Sequence, residues 1–229
     1  NDCSLCIFSA GTTAFFVASD GRHNTELWKT DGTAAGTMMV RDIHPGNVPS
    51  IPDHLTNLNG KVVFQAYGPN GFEPWVTDGT AAGTFELKNI KRGTENSHPS
   101  MRYEARLGND IYFTANDLTH GIELWRTDGT PAGTQLVADV LPGPGSSQPD
   151  YLYSDGTRLF FSANAGRGME PFTYDGTSLT ALGDLVPGTG SSAPFHWRSL
   201  AGGRTLFTAK IPGQGFELWV TNGTPGGTR

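Results

Sequence analysis

The sequence predicts an all-β fold, a β-propeller of five four-stranded blades of about 47 residues each, filling residues 1–229 as a single domain. Three observations carry this. A phrase close to Glu-Leu-Trp-x-Thr-Asp-Gly-Thr recurs from Glu26, Glu73, Glu123, Glu170 and Glu217, at intervals of 47, 50, 47 and 47 residues. Self-similarity at a period near 45 residues marks repeat architectures, and in strand-rich units it points to propeller blades. Short aromatic and β-branched runs fill each unit, and 31 glycines and 15 prolines separate them. No amphipathic period near 3.6 residues persists, so no long helix is expected. A linear β-solenoid is the competing repeat fold, with coils that are usually shorter.

The elements follow in order within each unit. The first is a strand upstream of the glutamate: 14–18, 62–66, 111–115, 159–163 and 205–209, each rich in Phe, Tyr, Val, Ile or Leu. The second is the repeated phrase itself, centred on 26–37, 73–84, 123–134, 170–181 and 217–228. A third strand is expected at Val40–Ile43, Leu87–Ile90, Val137–Val140 and Leu182–Leu185. Each of these is followed by a Gly and then a Pro: Gly46 and Pro52, Gly93 and Pro99, Gly143 and Pro149, Gly188 and Pro194. A short apolar segment such as 55–58 supplies the fourth strand.

Positions that recur in every unit read as scaffold, because a structural bond must repeat and a binding site need not. On an extended strand Glu26 and Trp28 share one face. The glutamate is expected to accept backbone hydrogen bonds while partly buried. Trp28, Trp75, Trp125 and Trp219, with Phe172 in the fourth unit, are expected to pack between blades. Asp31, Asp78, Asp128 and Asp175, with Asn222 in the fifth unit, read as Asx-turn residues, and the Asp/Asn exchange at Asp42, Asn89, Asp139 and Asp184 reads the same way. Calcium loops need several convergent carboxylates, and no Asp-x-Asp-x-Asp spacing occurs, so no metal site and no cofactor site is assigned. Asn24, Gly71, Gly121, Gly168 and Gly215, two residues before each glutamate, are expected to hold positive φ.

What varies is the loop around that position. Arg22, His23, Asn70, His120, Arg167 and Gln214 are the candidate binding residues, since propellers carry their specificity on such loops. Catalytic signatures are absent from the sequence. The six histidines form no i, i+4 pair, and no Gly-x-Ser-x-Gly elbow occurs. Carboxylates gathered at a central channel would be needed for a hydrolase, the least favoured reading.

The motif Glu-Leu-Trp-x-Thr-Asp-Gly-Thr-x-x-Gly-Thr, complete at 26–37 and 123–134, resembles the bacterial ELWxxDGT repeat. The resemblance covers essentially the whole chain. It implies a propeller-like module of a secreted, periplasmic or cell-surface protein, with no catalytic residue to carry over. Pro74 and Asn222 are mild departures; the fourth unit departs more, with Ser178-Leu-Thr-Ala in place of the second Gly-Thr.

Net charge is −6 with a pI near 5.4, which argues against nucleic acid and anionic membrane surfaces as partners. No apolar run is long enough for a helical membrane span. Cys3 and Cys6 form a lone C-x-x-C pair, read as a local disulfide or two thiols rather than a zinc site. Arg229 follows the fifth Gly-Thr directly, so either the segment Leu5–Phe8 completes the fifth blade or the chain continues. The functional expectation is a non-enzymatic binding or assembly module for a partner protein, with a lectin-like, glycan-binding propeller as the alternative.

Overall fold

A computed structural model describes residues 7–229. It is all-β, with five meander sheets in which chain-order neighbours are hydrogen-bonded. The first sheet holds β1 (Phe8–Ala10), β2 (Thr13–Ala18), β3 (Glu26–Thr30) and β4 (Met38–Arg41), and the second β5 (Asp53–Leu58), β6 (Lys61–Gly68), β7 (Gly71–Thr77) and β8 (Phe85–Glu86). The third holds β9 (Ser100–Leu107), β10 (Asp110–Asn116), β11 (Ile122–Thr127) and β12 (Gln135–Ala138). The fourth holds β13 (Asp150–Ser154), β14 (Leu159–Asn164), β15 (Met169–Tyr174) and β16 (Leu179–Ala181). The fifth has three strands, β17 (Phe195–Leu200), β18 (Arg204–Ile211) and β19 (Gly215–Thr221). A 3-10 turn at Pro225–Gly227 is the one helical element among the described residues.

The first, second, fourth and fifth sheets share an aromatic rung on a neighbouring strand pair. Phe16 faces Trp28, Phe64 faces Trp75, Phe161 faces Phe172 and Phe207 faces Trp219. Because side chains alternate across a strand, the residue two before the aromatic, the repeated glutamate, shares its face. Trp75 and Trp125 are 4% exposed and Phe172 is 6% exposed, whereas Trp28 and Trp219 are only half-buried.

Packing divides the chain into two compact units, one holding residues up to 102 with 127–134, the other 103–126 with 135–229. The first is built on a core that includes Phe15, Leu27, Val62, Phe64 and Trp75. The second has two clusters, one around Tyr112, Leu124, Phe161 and Phe172, the other around Phe160, Trp197 and Phe207.

Two expectations are corrected. The strand after the repeated phrase lies earlier than Val40–Ile43 and its equivalents: β4 ends at Arg41, and β8 covers only Phe85–Glu86. It stops there because the amides of Ile43 and Ile90 donate to buried glutamates instead of to a sheet ladder. The segment expected to close the fifth sheet does not do so where it is described. Phe8 belongs to β1 and pairs with Phe15 in the first sheet, while Leu5 and both cysteines lie outside the described residues.

Candidate functional site

At one end of each of the first four sheets, the loop before the glutamate and the connector to the next sheet meet over a buried carboxylate. Glu26, Glu73 and Glu123 are fully buried and Glu170 is 5% exposed. Charges so placed are tolerated only when hydrogen-bonded. Glu73 is held by the Ser97 hydroxyl at 2.6 Å and by the amides of Ile90 at 3.1 Å and Ser97 at 3.2 Å. Glu123 is held the same way by Ser147 Oγ at 2.5 Å and the amides of Ser147 and Val140 at 2.8 and 2.9 Å. Ser50 serves Glu26 and Ser192 serves Glu170. Burial pushes all four carboxyls upward, and Glu73 reaches about 7. Glu217 is exposed, since β19 is the outer strand of its sheet.

The latch serine was missed in the sequence, although it stands in a repeated Ser-x-Pro: 50–52, 97–99, 147–149 and 192–194. The middle residue has positive φ each time, at Ile51 (45°), His98 (47°), Gln148 (49°) and Ala193 (45°). Left-handed backbone costs about 1–2 kcal/mol per non-glycine residue, so the surrounding bonds must over-determine it. They do. The carbonyls of Ser50, Ser147 and Ser192 accept from the amides of Tyr67, Asn164 and Lys210 in the following sheet. The serine thus ties one glutamate to the next sheet.

The expected positive φ is found at Asn24 (53°), Gly71 (98°), Gly121 (71°), Gly168 (85°) and Gly215 (91°). A second reason favours glycine, because a Cβ at Gly71, Gly121 or Gly168 would strike the backbone of the connector at Glu95, Gly145 or Gly190.

The candidate binding residues all lie in these loops, and five of the six stand three residues before a glutamate. His23 Nδ1 meets Asp20 Oδ2 at 2.8 Å, and His120 Nδ1 meets Asp117 Oδ2 at 2.7 Å, in matching turns whose aspartates also accept loop amides. These carboxylates push both imidazoles upward, with Asp42 and Glu26 adding for His23, and Asp139 and Glu123 for His120. Asn70 donates to both oxygens of Glu86 at 3.2 Å. Arg167 reaches Asp184 at 3.8 Å with its side chain 75% exposed. Arg22 is exposed and its amide donates to Asp20, and the exposed Gln214 donates its amide to Ile211. Each of the six bonds within its own sheet; the structure does not gather them into one site.

The Asp-Gly-Thr turns lie at the opposite end of the strands. Asp31, Asp78, Asp128 and Asp175 accept from the amide and hydroxyl of the threonine two residues on, and Asn222 does the same at 3.0 and 2.7 Å. This is turn chemistry that an amide oxygen performs as well as a carboxylate. Among the described residues no three His, Cys, Asp or Glu side chains are placed to share a metal ion.

Two pockets open at the loop end. One of about 480 Å³ is lined by Val48, Pro49, Ile51, Tyr67, Phe72, Asn96 and His98, with Tyr67 stacked on His44 at 5.2 Å. The other, about 310 Å³, lies in the fourth sheet and includes Arg167, Glu170, Phe172, Ala181, Gly183 and Asp184. Of the predicted residues, Arg167 lines the second of these two pockets. Separately, a run of rings crosses the third to fifth sheets: Tyr103 to Tyr151 at 5.0 Å, Tyr151 to Phe195 at 5.8 Å and Phe195 to Phe216 at 5.2 Å.

The sequence matches no protein-family model and no characterised protein sequence. Solved structures do resemble the fold. Dihydro-heme d1 dehydrogenase NirN in complex with DHE aligns over 95% of this chain and 44% of its own, at 12% identity and a TM-score of 0.52. Puromycin hydrolase aligns over 95% of this chain and 34% of its own, at 13% identity and a TM-score of 0.50. The β-propeller domain of the Trilobed protease from Pyrococcus furiosus aligns over 92% and 63%, at 11% identity and a TM-score of 0.45. The chain spans less than two thirds of each of these relatives, and at such identities the likeness shows the fold alone. Among the described residues no helix is long and apolar enough to cross a membrane.

Proposed function

We propose that the five sheets are blades of a β-propeller that works as a non-enzymatic binding or assembly module of a secreted or cell-surface protein, with a partner protein as its ligand. One observation carries the reading. The repeated residues are consumed by the frame, in glutamate–serine latches and aspartate turns, while the position three before each glutamate changes from His23 to Asn70, His120, Arg167 and Gln214. A constant frame presenting different loop residues is what selective recognition needs and what a single reaction does not. The test replaces these five residues by Ser and compares cross-linking of intact wild-type and variant protein to cell-surface proteins. Specific cross-links that vanish in a variant of unchanged melting temperature support the reading; cross-links that survive overturn it.

The aromatic run favours a second reading, glycan binding. Tyr103, Tyr151 and Phe216 are 37%, 38% and 56% exposed, and ring faces suit the C–H faces of sugars. Titration with neutral oligosaccharides, with binding lost in Tyr151→Ala, would support it.

A further inference from the structure

We propose that the pocket in the fourth sheet is a binding site for a small planar aromatic acid, a ring of about indole size carrying a carboxylate. The inference stands on the sheet's own geometry and does not depend on the partner-protein reading.

The pocket exists because three positions shrink together. At the aromatic position the first, second, third and fifth sheets carry Trp28, Trp75, Trp125 and Trp219, and the fourth carries Phe172. The residue facing it across the last strand pair is Met39, Glu86 or Leu136 elsewhere and Ala181 here. Two residues further on, Arg41 and Lys88 of the first two sheets send their cationic ends to the carbonyls of Thr84 and Thr134, and the third sheet carries Ala138. The residue in that place in the fourth sheet is Gly183, two before the amide that binds the glutamate, as Arg41 and Lys88 are.

In the second sheet the indole covers the loop: a Cβ on Gly68 would lie 2.5 Å from Trp75 Cζ2. The residue in the same register of the fourth sheet is Ala165, and it lines the pocket instead. Removing an indole, a long facing side chain and a basic side chain from one spot leaves about 310 Å³, at the small end of ligand sites, which run from roughly 300 to 1,000 Å³. Here Phe172, stacked on Phe161 and 6% exposed, forms the apolar floor.

The polar end selects among aromatics. Glu170 is already engaged, with Ser192 Oγ at 2.7 Å, the Ser192 amide at 3.1 Å and the Leu185 amide at 2.9 Å, so it offers little to a ligand. Arg167 stands at the rim, 75% exposed, with a 3.8 Å contact to Asp184, a second acid of the lining that a ligand carboxylate must displace from the guanidinium. A guanidinium has five donors in a planar fork that matches a carboxylate. A ring seated on Phe172 with its carboxylate toward Arg167 uses both ends of the site.

Isothermal titration of the whole chain with indole-3-acetate, indole and tryptamine tests this. Saturable binding of indole-3-acetate is expected, abolished by Phe172→Trp, which restores the residue of the other sheets. Ala181→Met should abolish it too, and carries the test if Phe172→Trp misfolds by circular dichroism. Arg167→Gln should weaken the acid by about tenfold and leave indole unchanged. No saturation by indole-3-acetate, tighter binding of tryptamine, or binding that survives both filling substitutions would overturn the proposal. Binding of a Trp-containing peptide with all three free aromatics silent would also overturn it.

Discussion

In the second sheet Glu73 is held by Ser97 with Asn89 and Asn70 beside it, whereas in the third Glu123 is held by Ser147 with Asp139 and His120 in those places. The latch is the same and the electrical setting is not. Where the residue past the last strand is an aspartate, the loop opposite carries His23, His120 or Arg167; where it is Asn89, the loop carries neutral Asn70. One chain has thus exchanged charge at two positions together, once in four repeats. A buried carboxylate tolerates a second acid nearby when a cation answers it and is left alone when none does. His23 and His120 each also pair with an aspartate of their own loop, Asp20 and Asp117, so only part of this loop variation can answer the acid past the last strand.

If the two sheets differ only in charge, their packing should respond equally. Trp75→Ala and Trp125→Ala should each cost about 3–5 kcal/mol in urea denaturation, the range for large aromatic deletions in cores. Both indoles are 4% exposed, so a clear difference between the two costs would show that the sheets are not equivalent frames.

The frame was legible because it repeats. A strand that must bury a glutamate and an aromatic on one face keeps both, and Glu73-Pro-Trp or Glu123-Leu-Trp announces them. Ser97 and Ser147 repeat as faithfully, but they sit in connectors rich in Gly, Ser and Pro, where a serine carries no periodic or apolar signal. Their role appears only when the connector is laid over the glutamate 24 residues earlier. The pocket beneath Phe172 was illegible for another reason. Phe172 on β15 meets Ala181 on β16 through register, with Gly183 just past that strand, so the lost volume is spread over positions that look unrelated in sequence.

The latch itself is the next test. Ser97→Ala and Ser147→Ala each remove a hydroxyl that donates to a carboxylate, a loss of about 1.5–3 kcal/mol for charged hydrogen bonds. Ser147→Ala should cost more at pH 8 than at pH 5, because an ionised Glu123 beside Asp139 has the greater need of donors. Equal costs at the two pH values would remove the charge argument from the third sheet.

The carboxyl of Glu73 offers a pH readout. Burial raises it from an ordinary 4.5 to about 7, so the folded chain holds that proton more tightly than the unfolded one. Its contribution to stability is complete below about 4.5 and is lost as pH rises through about 7. Stability should therefore fall across that window, and Glu73→Gln should flatten the fall. A Glu73→Gln profile as steep as the wild type would mean that other groups set the pH dependence.

The smallest effect is the most specific. Asn89→Asp gives the second sheet the acid of the third without its cation, and should destabilise the chain while leaving the latch in place. Asn70→His then supplies an imidazole at the position His120 occupies, three residues before the glutamate, with Tyr67 where the third loop has Asp117, so that the new acid is its one added partner. The two residues should couple by about 0.2–1 kcal/mol, the range for solvent-exposed pairs, in a double-mutant cycle. The coupling should fade as pH rises and the imidazole loses its charge, and shrink in high salt. A cycle that closes to zero at low pH would mean that the paired exchange of Asn70 with Asn89, against His120 with Asp139, is not electrostatic, and the contrast between the two sheets would need another cause.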